Sequence, residues 1–171
     1  MIIFQKVRKS LLLFYARWVK GLCSSRRVIQ FSFKKYKTKT FLIQAEENRG
    51  VTFQELRQLT DNAILFLAEK GLTRKDVAAF TAPNCVEYFI VRAACQCAGI
   101  IFFGLPVNLT PNEIAYFLDK TRAKILFYAK RGDFDINAVK VKPPLTHFVA
   151  LKSRLFAEIY SKTSTAPPGE L

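Results

Sequence analysis

A chain of 171 residues, half of them hydrophobic, is long enough to fold around one core of ordinary size, so one α/β unit with an appendage is the natural expectation. Its net charge of +14 suggests nucleic acid until its distribution is read: eleven of the 27 Lys and Arg precede Glu46, the first acid, and the remaining 16 meet 13 acids, leaving a body of only +3. Four cysteines, three of them (Cys85, Cys95, Cys97) in one apolar stretch, give no disulfide framework and point to a reducing compartment, and with His147 as the single histidine they make no zinc site.

In the basic arm, residues 1–26, the apolar positions Phe4, Val7, Leu11, Phe14, Tyr15, Trp18 and Leu22 recur every three or four residues, which gathers them on one helical face. Lys6, Arg8, Lys9, Arg17 and Lys20 fall largely off that face. Such a helix suits the headgroup boundary of an anionic membrane, where each cation contributes about 1 kcal/mol. An acid-free leader containing Arg and Ser also fits a mitochondrial transit peptide, or a helix packed on its own protein or on a partner domain, and all three readings stay open. The run 11–15 is far below the roughly 20 apolar residues that span a bilayer, and no small-residue cleavage site follows it. The expected location is cytoplasmic, peripheral on a membrane if residues 1–24 bind one, with mitochondria as the alternative.

Residues 27–151 alternate between helix-period and strand-like segments. Residues 28–36 read as a short amphipathic helix and 40–43 as a strand, followed by a polar turn at 46–50. Thr52 and Glu55 form a capping box, so a helix starts at Phe53 and carries Leu56, Leu59, Ala63, Ile64 and Leu67 to a stop at Gly71. Residues 77–82, between a polar turn and Pro83, make a buried strand, and Asn84 is expected to cap the next helix, which closes at Gly99. A strand at 100–105 leads to a second capping box, Thr110 with Glu113, with Pro111 at the first helical position and a helix running to about residue 121. Residues 124–129 form a strand, 133–139 a short helix and 146–151 a last strand.

Strands separated by helices of ten or more residues need crossover connections. The fold class is therefore α/β: an open, mostly parallel sheet with helices on both faces, preceded by the basic amphipathic helix. Residues 152–171 read as a linker-like tail with one more helical turn around Leu155, Phe156, Ile159 and Tyr160.

Gly50, Thr52, Glu55 and Leu56, then Asp76 and Val77, then Pro83, Asn84 and Glu87, then Ala98 and Gly99, and finally Pro106, Asn108, Glu113 and Ile114 form an ordered series at domain-scale spacing. Each element alone is a helix start or strand entry open to any α/β protein; their order carries the weight. The series resembles the N-terminal subdomain of the AMP-forming acyl-CoA synthetases, in the AMP-dependent synthetase and ligase family. One departure stands out, because Lys75 precedes Asp76 where that family favours glycine.

The resemblance implies a complete protein that activates a carboxylate with ATP to an acyl-adenylate and then forms a thioester with coenzyme A, using ATP, magnesium and coenzyme A. It transfers no catalytic, cofactor-binding or metal-binding residue onto this chain, since the matched positions are scaffold in the family. The family's phosphate loop is rich in Gly, Ser and Thr and ends in Pro-Lys-Gly. The candidate at residues 163–169 has no glycine before its end and sets Pro168 where a cation is needed. The expectation is a chain that stops short of its chemistry and is inactive alone, whose partners are the missing C-terminal part of a synthetase and an anionic membrane surface reached through residues 1–24. A rival class is a non-catalytic docking module built on the same fold. Nucleic-acid binding through Lys34, Lys35, Lys37 and Lys39 is not expected, because Phe31, Phe33 and Tyr36 fit the apolar face of a short helix better than a stacking platform.

Overall fold

A computed structural model of the chain describes residues 24–45, 49–130, 135–145, 147–151 and 153–161. The helical reading of residues 1–23 and the loop candidate at 163–169 lie outside the described residues.

Helix α1 (Ser25–Lys35) begins three residues earlier than its apolar pattern suggests, because the Ser24 hydroxyl accepts from the Arg27 amide at 3.3 Å. Strands β1 (Thr40–Gln44) and β2 (Arg49–Thr52) then pair antiparallel as a separate two-stranded ribbon. This corrects the expectation that residues 40–43 join the parallel sheet and that 46–50 are only a turn. Four intervening residues are too few for a crossover, so the chain can only fold back on itself.

Helix α2 (Phe53–Glu69) starts where its capping box demands: the Glu55 carboxylate accepts from the Thr52 amide at 2.8 Å, and the Thr52 hydroxyl accepts from the Glu55 amide at 3.2 Å. It ends in a left-handed Gly71, with the Leu72 amide reaching back to the Leu67 carbonyl at 3.0 Å. Strand β3 (Val77–Thr81) leads to α3 (Val86–Ala98), whose N-cap is Cys85 and not Asn84. Cys85 has the extended backbone and makes no side-chain cap, so Glu87 falls one position short of a box. After β4 (Ile101–Gly104), helix α4 (Pro111–Thr121) opens with the second box, Thr110 with Glu113, and Pro111 in the first turn. The remaining elements are β5 (Ala123–Tyr128), a 3-10 turn (Ile136–Ala138) where a short helix was expected, β6 (His147–Ala150) and α5 (Arg154–Ser161).

The sheet has the order β4-β3-β5-β6 with every pair parallel. Its central strands β3 and β5 are buried on both faces, as crossover connections require. On one face Ala78, Phe80, Ile125, Phe127 and Val149 meet Phe33 of α1, Leu56 and Phe66 of α2, Ile90 of α3, and Phe156 and Ile159 of α5. On the other, Ala79, Leu126, Tyr128 and Ala150 pack on Ile114 and Leu118 of α4. The segment after residue 151 thus contributes two core side chains, Phe156 at 1% exposure and Ile159 at 0%. Asn62 of α2 ties it down by donating to the Ile159 carbonyl at 2.8 Å.

Candidate functional site

From β3 the chain turns toward β4, whereas from β5 it turns toward β6, so the connections diverge between the two central strands. Crevices at such reversals, outside the carboxyl ends of parallel strands, are where open α/β sheets bind ligands. Here that position holds a cleft of 390 Å³. Ala82, Pro83, Asn84 and Cys85 follow β3 into it, Ala129 and Lys130 follow β5, and Ala150, Leu151 and Ser153 come from the end of β6. Gln44 of β1 and Glu87 of α3 complete the rim.

Much of this polar inventory is already engaged. The Tyr160 hydroxyl donates to Glu87 Oε1 at 3.2 Å, clasping α5 to α3. The Ser153 hydroxyl accepts from the Phe156 amide at 3.2 Å and so starts α5. Beneath the cleft, the Ala129 amide donates to the Thr81 carbonyl at 3.1 Å and the Leu151 amide to the Tyr128 carbonyl at 2.7 Å, leaving the floor satisfied. Burial, with the adjacent Glu87 charge adding to it, pushes the Cys85 thiol up to about 11, so it stays protonated at neutral pH and is no nucleophile. Burial likewise lifts Cys97 to about 11 and Cys95 to about 12.

The positions that carry the family resemblance are structural in detail. Thr52 with Glu55 and Thr110 with Glu113 begin helices, Gly99 at φ +73 ends one, and the Pro106 carbonyl accepts from the Thr81 hydroxyl at 3.2 Å. Asp76 lies before β3, where its Oδ2 accepts from the Thr73 amide at 2.7 Å, the Thr73 hydroxyl at 2.9 Å and Lys124 Nζ at 2.8 Å. Burial works against ionisation there, but the Lys124 and Thr73 hydrogen bonds outweigh it and hold the carboxyl below its ordinary value. His147 Nε2 stands 3.2 Å from the Lys70 carbonyl, a structural bond to the end of α2. Among the described residues no group of three His, Cys, Asp or Glu side chains is placed to hold a metal. The Glu87–Tyr160 clasp and the Asn62 bond had no sequence signal beyond a polar residue interrupting an apolar stripe, because their partners lie 73 and 97 residues away.

The sequence profile of the family described as AMP-binding enzyme matches residues 29–167, most of the chain. The chain belongs to the AMP-binding enzyme family. Among relatives, this chain is 26% identical over 105 residues to a mitochondrial medium-chain acyl-CoA ligase of Macaca fascicularis, covering 61% of this chain and 17% of that protein. It is 36% identical over 76 residues to a mitochondrial acyl-coenzyme A synthetase of Homo sapiens, covering 44% of this chain and 13% of that protein. The matches thus take in less than a fifth of either relative's length. A solved structure of a fatty acyl CoA synthetase from Mycobacterium tuberculosis superposes with a TM-score of 0.76 at 16% identity, over 85% of this chain and 30% of that one. At that identity the likeness establishes the α/β fold alone.

Proposed function

We propose that this AMP-binding chain is the leading α/β portion of an acyl-CoA synthetase, which in complete form joins a carboxylate to the α-phosphate of ATP, releases pyrophosphate and passes the acyl group to the thiol of coenzyme A. The family match over residues 29–167 carries the reading. The outer strands support it: Ile101 on β4 is 52% exposed and Phe148 on β6 is 39% exposed, apolar surface suited to further packed structure. Tested against magnesium-bound triphosphate, the cleft does not fit. Among the described residues its lining holds no glycine, one cation (Lys130) and one carboxylate (Glu87), the latter bonded to Tyr160. No step of the reaction is therefore routed through these residues, and the chain's part is to build and rigidify one wall of a larger site.

The test is ATP–pyrophosphate exchange with mixed fatty and aryl acids, run on this chain alone and on this chain fused ahead of the remainder of a related ligase. Exchange by the fusion and none by the chain alone is expected. Exchange by the chain alone, or a folded fusion that exchanges with no acid offered, overturns the reading.

The charge distribution favours a second reading, for residues 1–24: five cations and no acid beside a helical apolar pattern suit contact with an anionic membrane surface. No helix among the described residues is long and apolar enough to cross a membrane. The mitochondrial names of two relatives favour the alternative of a transit leader. Import into isolated mitochondria with loss of the leader would decide for the alternative, and retention of the leader with sedimentation on anionic vesicles for the membrane.

A further inference from the structure

We propose that the folded surface made by α1 and the loop into β1 docks on an anionic lipid bilayer. Between Ser24 and Ala45 the chain has six cations, Arg26, Arg27, Lys34, Lys35, Lys37 and Lys39, and no acid. Helix geometry sorts them. Phe33, 5% exposed, and Ile29 take the inward side of α1. On the opposite side Arg27, Phe31 and Lys35, four residues apart, form one row, flanked by Lys34 and Val28. Arg27, Lys34, Lys35, Lys37 and Lys39 are all exposed. Phe31 belongs to neither hydrophobic cluster, and Lys35 Nζ sits 5.5 Å from its ring centroid.

Beside this row lies an apolar opening. Val28, 45% exposed, and Phe41, 37% exposed, stand at a groove of 260 Å³ between α1, α2, α3 and β1 whose inner wall includes Phe33, Phe53 and Phe89. A row of cations beside an apolar opening matches a membrane interface, where ammonium and guanidinium groups meet lipid phosphates while apolar side chains reach the acyl boundary. Charge complementarity chooses the partner, since a second copy of the same face would set five exposed cations against five.

Single-stranded nucleic acid shares the phosphates but also needs a ring face on which bases can stack. Phe33 is buried, the Tyr36 ring lies 5.6 Å from Phe53 and carries Lys35 and Lys39 Nζ at 5.2 and 5.5 Å, and Phe31 carries Lys35. These rings are committed. The inference does not depend on the carboxylate-activation reading, and it extends the one for residues 1–24 by naming a folded surface that binds with or without that leader.

The experiment is co-sedimentation of the full chain with phosphatidylcholine vesicles, with and without phosphatidylserine, across rising salt. Binding should require phosphatidylserine and weaken as salt shortens the electrostatic range. Replacing Lys34, Lys35, Lys37 and Lys39 together with Gln should lower the partition coefficient at least ten-fold, given about five-fold per cation near such a surface. Val28→Asp should lower it too, whereas neutralising Lys6, Arg8, Lys9, Arg17 and Lys20 should leave measurable binding. Should the quadruple variant shift the melting temperature, Lys37→Gln alone, on an exposed loop residue, reports the same term as a loss of about five-fold. Unchanged binding by the quadruple variant, total loss on neutralising only the leader, equal binding to neutral vesicles, or salt-sensitive capture of oligothymidylate with no vesicle binding would each overturn the proposal.

Discussion

Replacing Asp76 with Ala tests how the sheet is entered. Three donors converge on one carboxylate oxygen, the Thr73 amide and hydroxyl at 2.7 and 2.9 Å and Lys124 Nζ at 2.8 Å, and together they join the turn before β3 to β5. Hydrogen bonds to an ionised acceptor are worth roughly 1.5–3 kcal/mol each in protected sites. Here the Asp76 and Lys124 side chains are 18% and 34% exposed, so water both screens the pair and rehydrates the donors when the carboxylate goes. Discounting for this leaves about 0.5–1 kcal/mol per bond and about 2 kcal/mol for the substitution. Urea unfolding followed by circular dichroism measures it, and a double-mutant cycle with Lys124→Met should return a coupling of about 0.5–1 kcal/mol. The pH dependence has a definite sign. Because the folded carboxyl titrates below its unfolded value of 3.8, its contribution is complete above that value and disappears as pH falls through the lower folded one. The gap between wild type and Asp76→Asn should thus narrow from pH 7 toward pH 3. An Asp76→Ala variant within about 0.5 kcal/mol of wild type at pH 7, or a gap that ignores pH, would refute this account.

Lys75, at φ +75, holds a left-handed backbone that costs an L-residue roughly 1–2 kcal/mol, so Lys75→Gly should raise stability by about 0.5–1 kcal/mol after the extra unfolded-state entropy of glycine, read as a higher urea midpoint. Thr110→Ala removes one half of a capping box and should cost about 1 kcal/mol in the same assay. Phe156→Ala should cost about 3–5 kcal/mol, because the ring is buried against Phe127 and Tyr160 at 6.1 Å from each; a much smaller loss would show that α5 is an ornament on the core. With Cys23 replaced by Ser, folded protein should resist iodoacetamide at pH 7 until denaturant is added, since burial keeps Cys85, Cys95 and Cys97 as thiols.

What was legible in the sequence is what is decided locally. Thr52 with Glu55, and Thr110 with Glu113, place two helix starts to the residue, because each box satisfies amides within its own turn. The boundary at Asn84 failed for the same reason in reverse: Asn84 and Cys85 compete for one cap position, and the backbone chose the residue without a capping side chain. Pairing of β1 with β2 was missed because periodicity identifies a strand without naming its neighbour. The cleft was invisible, since Ala82, Lys130 and Leu151 meet only once the strand order β4-β3-β5-β6 is set, and no local signal encodes that order.

The motif positions that identify the family here are folding devices, and this bears on what family membership says about chemistry. A capping threonine, a left-handed glycine and a strand-entry aspartate are kept in place by geometry whether or not a nucleotide is ever bound. The one departure, Lys75 at a left-handed position, has the same character: it charges the chain a backbone strain next to Asp76 and touches no ligand site. Two polar groups of the cleft follow suit, with Glu87 bonded to Tyr160 and Ser153 to α5, so part of the crevice is braced before any ligand arrives. Among the described lining residues the one cation is Lys130 and the one carboxylate, Glu87, is already bonded, so on the proposed reading the phosphate-binding amides and metal ligands come from other segments. What α3, β5 and α5 supply is a rigid wall, and rigidity is what holds such groups in the geometry that transfer to phosphorus requires.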